Sequence, residues 1–117
     1  MSIHITLKGN PYSTNNIYYR SWARGFIKPN ARKMKDSYVI QAKQQYKGKT
    51  LKNELSVYIR IFFWDKRTRD WDNFHKLSQD ALAGIVYEND SQIKLATIQI
   101  MPIDKENPRI ELIFDEI

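Results

Sequence analysis

The sequence predicts an α+β fold, a single compact domain over residues 1–117 with a mixed or antiparallel sheet and two main helices, in the order β-loop-α-β-α-β-β. Three observations predict it. Apolar and polar residues alternate in well-separated segments, as half-buried strands require. Two intervening segments instead repeat their apolar residues every three or four positions, the period of a helix. A length of 117 residues with 42% hydrophobic and 13% aromatic content suits one domain with a real core.

The first element, SIHITLKG, places Ile3, Ile5 and Leu7 on one face and His4, Thr6 and Lys8 on the other. NPYSTNNIYYRSWARG has no helical period and is rich in Asn, Ser and aromatics, so a long loop is expected there, and loops of that length are often functional. GFIKP predicts a brief edge strand ended by Pro29. Asn30 is the expected N-cap of the first helix, whose stripe is Met34, Tyr38, Ala42 and Tyr46, with Gly48 just past its end.

LSVYIRIFFW is the clearest strand, with Leu55, Val57, Ile59, Ile61 and Phe63 on one face. Its other face turns aromatic at Phe62 and Trp64, which predicts a cover there. A second helix is expected from Asn73 to Ala83 on Phe74, Leu77, Ala81 and Leu82, stopped by Gly84. IKLATIQIM slips phase near Leu95 and Ala96, predicting a bulge or burial on both faces. A turn at DKENP leads to RIELIFD, where Ile110, Leu112 and Phe114 share a face.

Composition excludes several chemistries. Without cysteine there is no disulfide, thiolate metal site or cysteine nucleophile. Two histidines far apart in sequence argue against zinc, and His75 reads as a solvated helix residue. Glycine-rich nucleotide loops and the G-x-S-x-G elbow are missing, so no nucleotide cofactor is expected. No apolar run approaches the roughly 20 residues of a membrane helix, and nothing resembles a signal peptide, so a cytoplasmic protein without membrane association is expected. The net charge of +6 points toward a polyanion. Lys and Arg dominate from Arg20 to Lys52, whereas acids gather after Asp65.

RDWDNFHK, residues 69–76, sets Asp70 and Asp72 one residue apart. Two carboxylates so placed repel unless a cation, from Arg69, Lys76 or a metal, sits between them. One reading makes Asp72 a helix N-cap, with Lys76 and Asp80 as surface ion pairs, but it leaves Asp70 unexplained. The other makes both aspartates oxygen ligands for Mg²⁺, with a third acid from YENDSQ, which carries Glu88 and Asp90. The loop NNIYYRSWARGFIK interleaves Tyr18, Tyr19, Trp22 and Phe26 with Arg20, Arg24 and Lys28. Such a loop can stack on unpaired bases and neutralise phosphates, or its aromatics can fold inward.

With these residues assembled, the chain resembles the RusA-type Holliday junction resolvases, the crossover junction endodeoxyribonucleases. The likeness covers nearly the whole chain, from the first strand and YSTNNIYYR through RTRDWDNFHKLSQDAL to NDSQI and a closing hairpin. D-x-D-N-x-x-K followed by D-A-L is its most specific part. It implies a homodimeric nuclease, dependent on Mg²⁺ with Mn²⁺ as a substitute, making paired cuts at a four-way DNA junction in recombination and repair. Such families occur in bacteria and in phages. The catalytic acids fall on Asp70, Asp72 and Asp90, which are also the implied metal ligands, with Lys76 as their basic partner. Arg69 is the implied phosphate contact, and Arg67, Asn15, Asn16, Tyr19, Arg20 and Arg24 complete the expected DNA-binding set. The family commonly places an aspartate before its last acid; here Asn89 stands there, which leaves Glu88 beside Asp90 as a candidate.

A metal held by the aspartates would activate water and neutralise developing charge, while Lys76 would offset charge on the phosphate or the leaving oxygen. The rival readings are a non-catalytic nucleic-acid-binding module, a nuclease for flaps, forks or single strands, and a structural subunit that uses Phe62 and Trp64 for protein contacts.

Overall fold

The alternating segments form one four-stranded sheet, and the helical ones two helices, in a computed structural model that describes residues 2–14 and 27–117. The elements are β1 (Ile3–Lys8), α1 (Pro29–Gln45), β2 (Leu55–Phe62), a 3-10 turn (Trp71–Asn73), α2 (Lys76–Leu82), a second 3-10 turn (Asp90–Gln92), β3 (Ile93–Ile100) and β4 (Arg109–Glu116). This is the expected α+β order. In space the strands run β1-β4-β2-β3, with β4 antiparallel to both neighbours and β3 parallel to β2.

Ile5, Leu7, Val57, Ile59, Ile61, Ile110, Leu112 and Phe114 bury the inward face against Ala31, Tyr38 and Ala42 of α1 and Leu77, Ala81 and Leu82 of α2. Burying each large aliphatic contributes about 1.5–3 kcal/mol. The opposite face of β2 is covered by guanidinium groups rather than by a helix. Arg109 lies 3.7 Å over the Phe62 ring, and Arg60 pairs with Glu111 at 2.6 Å.

Several expectations need correction. Lys28 occupies the cap of α1 and Pro29 its first turn, because proline's fixed φ suits that position and displaces Asn30 inward. Gly48 has no positive φ; it lies against the Tyr46 ring, where a Cβ would meet the hydroxyl oxygen at 2.9 Å. The predicted edge strand before Pro29 falls mostly outside the described residues, with only Ile27 forming an isolated bridge. The second helix starts at Lys76, not Asn73, because the Phe74 ring turns in to meet Phe63 edge-on at 4.8 Å and breaks the helical path. Gly84, at φ 91°, does follow its end. The bulge in β3 falls at Lys94, between the pairs Leu55–Ile93 and Ser56–Leu95, and this strand is largely exposed rather than buried on both faces. Finally, the DKENP turn closes no hairpin. β2 lies between β3 and β4, since the fully buried Ile110, Leu112 and Phe114 require β4 to be central.

The two sheet edges differ. Along β1, Gln45 accepts from the Thr6 amide and donates to the Thr6 carbonyl, both at 2.7 Å, and Gln41 does the same at Lys8 at 2.7 and 3.1 Å. Side chains of α1 thus stand in for a fifth strand. Among the described residues no helix is long and apolar enough to cross a membrane.

Candidate active site at the aspartate turn

β2 ends at Phe62, and the polar segment beyond it is folded by one carboxylate. Asp65 accepts from the Arg67 amide at 3.1 Å and from its Nε and Nη2 at 3.1 and 3.0 Å. Arg69 donates through Nη2 to the same carboxylate and through Nη1 to the carbonyls of Asp65 and Arg67 at 3.0 and 3.2 Å. Its guanidinium lies 4.4 Å from the rings of both Phe63 and Trp64, and its side chain is only 9% exposed. Bonds from Arg67 first, then Arg69, hold the Asp65 carboxyl at a pKa of about 2. Sequence reasoning missed this brace. Its signal was D-x-R-x-R, an aspartate with arginines two and four residues on.

The brace delivers Asp70 and Asp72 to the surface. Asp70 precedes the 3-10 turn and meets the Asn73 amide side chain at 3.4 Å, at the limit of a hydrogen bond. Asp72 lies within the turn, exposed, with no hydrogen-bond or ion-pair partner among the described residues, so it does not cap a helix. His75 stands at the cap position of α2, half-buried, with Nδ1 on the Gln79 side chain and its carbonyl accepting from Ser78 at 2.6 Å. It is not a solvated helix residue.

Neither expected cation lies between the aspartates. Arg69 is committed to Asp65, and Lys76 pairs one helical turn along with Asp80 at 3.3 Å. That pair is partly exposed and worth little, so Lys76 breaks from it at small cost.

Asp90 opens the other 3-10 turn. The buried Tyr87 hydroxyl donates to its Oδ1 at 2.7 Å, with the Gln79 carbonyl also within 3.2 Å. Burial, then the bond to Asp90 and the charges of Asp90 and Asp80, raises the Tyr87 pKa well above its ordinary value. Asn89, where the family places an acid, caps this turn by accepting from the Ser91 amide at 2.9 Å. Gln92 completes the capping box and ties the turn to the carbonyls of Leu51 and Asn53. Glu88 is exposed and faces Lys52 at 3.9 Å. Asp70 and Asp72 therefore share one turn, while Asp90 belongs to another, and no three acids or histidines gather into a ligand set among the described residues.

The long loop reaches the site directly. Thr14, the residue before the aromatic and basic segment, donates its hydroxyl to the Asn73 carbonyl of the aspartate turn at 2.9 Å. Asn15, Asn16, Tyr18, Tyr19, Arg20, Trp22, Arg24 and Phe26 lie outside the described residues. A groove of about 610 Å³ runs beside the turn, lined among others by Asn10, Tyr12, Asn30, Trp64, Arg67 and Arg69. Asp70 and Asp72 thus present two exposed carboxylates on one turn, with the groove starting beside them at Arg69.

A family model described as endodeoxyribonuclease RusA matches residues 8–114. No individual curated protein matches the chain significantly.

Proposed function

The chain belongs to the RusA endodeoxyribonuclease family, and we propose that it is a Mg²⁺-dependent nuclease that resolves four-way DNA junctions by paired cuts, acting as a homodimer. The observation that carries the reading is the pair Asp70 and Asp72. They are like charges on a braced, exposed turn whose neighbouring cations are committed elsewhere. Among the described residues no cation sits between them, and a divalent cation with hard-oxygen preference fits two carboxylates plus water and phosphate oxygens. When bound, Mg²⁺, or Mn²⁺ in its place, supplies charge neutralisation and activation of water.

The chain's own residues do the rest. Asp70 and Asp72 hold the ion, and Asp90, fixed by Tyr87 and preferred over the outward-facing Glu88, is the third catalytic acid. Lys76 swings from Asp80 to the scissile phosphate and offsets charge there. Arg67 contacts DNA from the groove rim, whereas Arg69 acts from below through the brace. Asn15, Asn16, Tyr19, Arg20 and Arg24 of the long loop make the remaining DNA contacts, continuing from the tether at Thr14.

The test is cleavage of a labelled four-way junction against a matched linear duplex, with Mg²⁺ or EDTA, by the native chain and Asp72→Asn. Paired nicks in the junction alone, dependent on Mg²⁺ and reduced at least about 100-fold in the variant with binding retained, are expected. Tight binding without nicks under any divalent ion would leave a junction-binding module instead.

A further inference from the structure

Two tyrosines lie fully buried in the core, and their hydroxyls differ. The Tyr38 hydroxyl has no hydrogen-bond partner among the described residues, so that ring serves by its shape. The Tyr87 hydroxyl donates to Oδ1 of Asp90 at 2.7 Å and lies 3.2 Å from the Gln79 carbonyl. We infer that Tyr87 is a positioning residue of the nuclease site, whose hydroxyl orients the Asp90 carboxylate and ties it to α2, the helix that carries Lys76. This role rests on the reading of Asp90 as the third acid, and extends the site to a side chain too buried to touch DNA itself.

The Tyr87 ring is held from several sides. It packs against Phe114 of β4 at 5.5 Å, its carbonyl accepts from the Gly84 amide at 2.6 Å, and its backbone bridges to Leu51 and Ala83. The core therefore sets where the hydroxyl stands. Asp90, by contrast, is exposed. The Asn89 and Gln92 side chains fix the backbone of its turn, but an exposed aspartate there samples several rotamers unless its carboxylate is also held. Among the described residues the Tyr87 hydroxyl is the one group that bonds that carboxylate. With Oδ1 engaged, Oδ2 is the oxygen left for the reaction. Gln79 supplies the reference for this placement. Its carbonyl also accepts from the Ala83 amide at 3.0 Å, where α2 ends, and its side chain meets His75, where α2 begins. Because α2 follows the turn bearing Asp70 and Asp72, a hydroxyl seated between Gln79 and Asp90 links the two turns that carry the acids. Acids on separate turns need such a link, since a misplacement of about 1 Å can cost about 100-fold in rate. Packing alone does not need the hydroxyl, because phenylalanine fills the same space.

Tyr87→Phe keeps the ring and removes only the hydroxyl, and Tyr38→Phe is the control for loss of a buried tyrosine hydroxyl. Circular dichroism and a thermal melt check that both fold. On a labelled four-way junction with Mg²⁺, Tyr87→Phe is expected to lower kcat about 10–100-fold with KM near the native value, and Tyr38→Phe to leave both unchanged. A second readout needs neither metal nor DNA. In protein carrying carbon-13 at its aspartate carboxyls, the Asp90 signal, identified by its loss in Asp90→Asn, should shift in Tyr87→Phe and stay in place in Tyr38→Phe. If Tyr87→Phe does not fold, Asp90→Ala, a surface change, reads the same bond from the other side, as a shift of the Tyr87 ζ-carbon signal. A folded Tyr87→Phe chain that cuts at the native rate overturns the proposal, as does a loss confined to KM or a signal that stays unmoved in either variant. The nuclease reading fails separately. A native chain that never cuts a junction removes that reading and the catalytic role of Tyr87 with it, whereas native cutting with an indifferent Tyr87→Phe removes the positioning role alone.

Discussion

Asp65 shows how a charge beside a candidate site can serve its geometry. Its carboxylate gathers Arg67 and Arg69, and Arg69 is pressed between two aromatic rings, so the segment leading to Asp70 is held without regular structure. The depressed pKa makes this brace pH-dependent. The folded value of about 2 lies below the ordinary 3.8, so its stabilisation is complete above pH 3.8 and is lost as pH falls through about 2. The urea midpoint of Asp65→Asn should lie below that of the native chain at neutral pH, with the gap closing over that acidic window. An unchanged gap at pH 2 would show that Asp65 is not the titrating group. Asp72, by contrast, is exposed and accepts no hydrogen bond or ion pair among the described residues. Asp72→Asn should therefore shift stability by no more than about 0.5 kcal/mol while removing cleavage.

At the scale of elements, α1 has two tasks, packing Tyr38 and Ala42 into the core and closing the β1 edge with Gln41 and Gln45. Each glutamine makes two bonds to strand backbone, and a net bond is worth about 1 kcal/mol. Gln45→Ala should cost about 1–2 kcal/mol in urea unfolding, and Gln41→Ala with Gln45→Ala more, with a gain in concentration-dependent association as that edge opens. The shortened α2 illustrates a limit of periodic reading. Phe74 fits a helical stripe in sequence, but its ring is claimed by Phe63, so the turn before it stays 3-10 and projects Asp72 outward.

For the whole molecule, charge and shape divide the labour. A net charge of +6 supports long-range attraction to DNA, and binding should weaken steeply as salt rises. Titrating junction affinity against salt for Arg67→Ala should reduce the slope by about 1, with little change in cut position if Arg67 contacts a phosphate. An unchanged slope would assign Arg67 to the brace alone.

The sequence by itself determined the element types, the inward faces of β1, β2 and β4, the stripe of α1 and the suspect pair of aspartates, because each is encoded within a few residues as period or spacing. Helix caps, the length of α2 and the exposure of β3 were decided by tertiary structure. So were the insertion of β4 between β1 and β2, the commitment of Arg69 to Asp65 and the separate seats of Asp72 and Asp90. Those depend on which distant groups compete for the same ring, backbone edge or carboxylate, and periodicity holds no record of that competition.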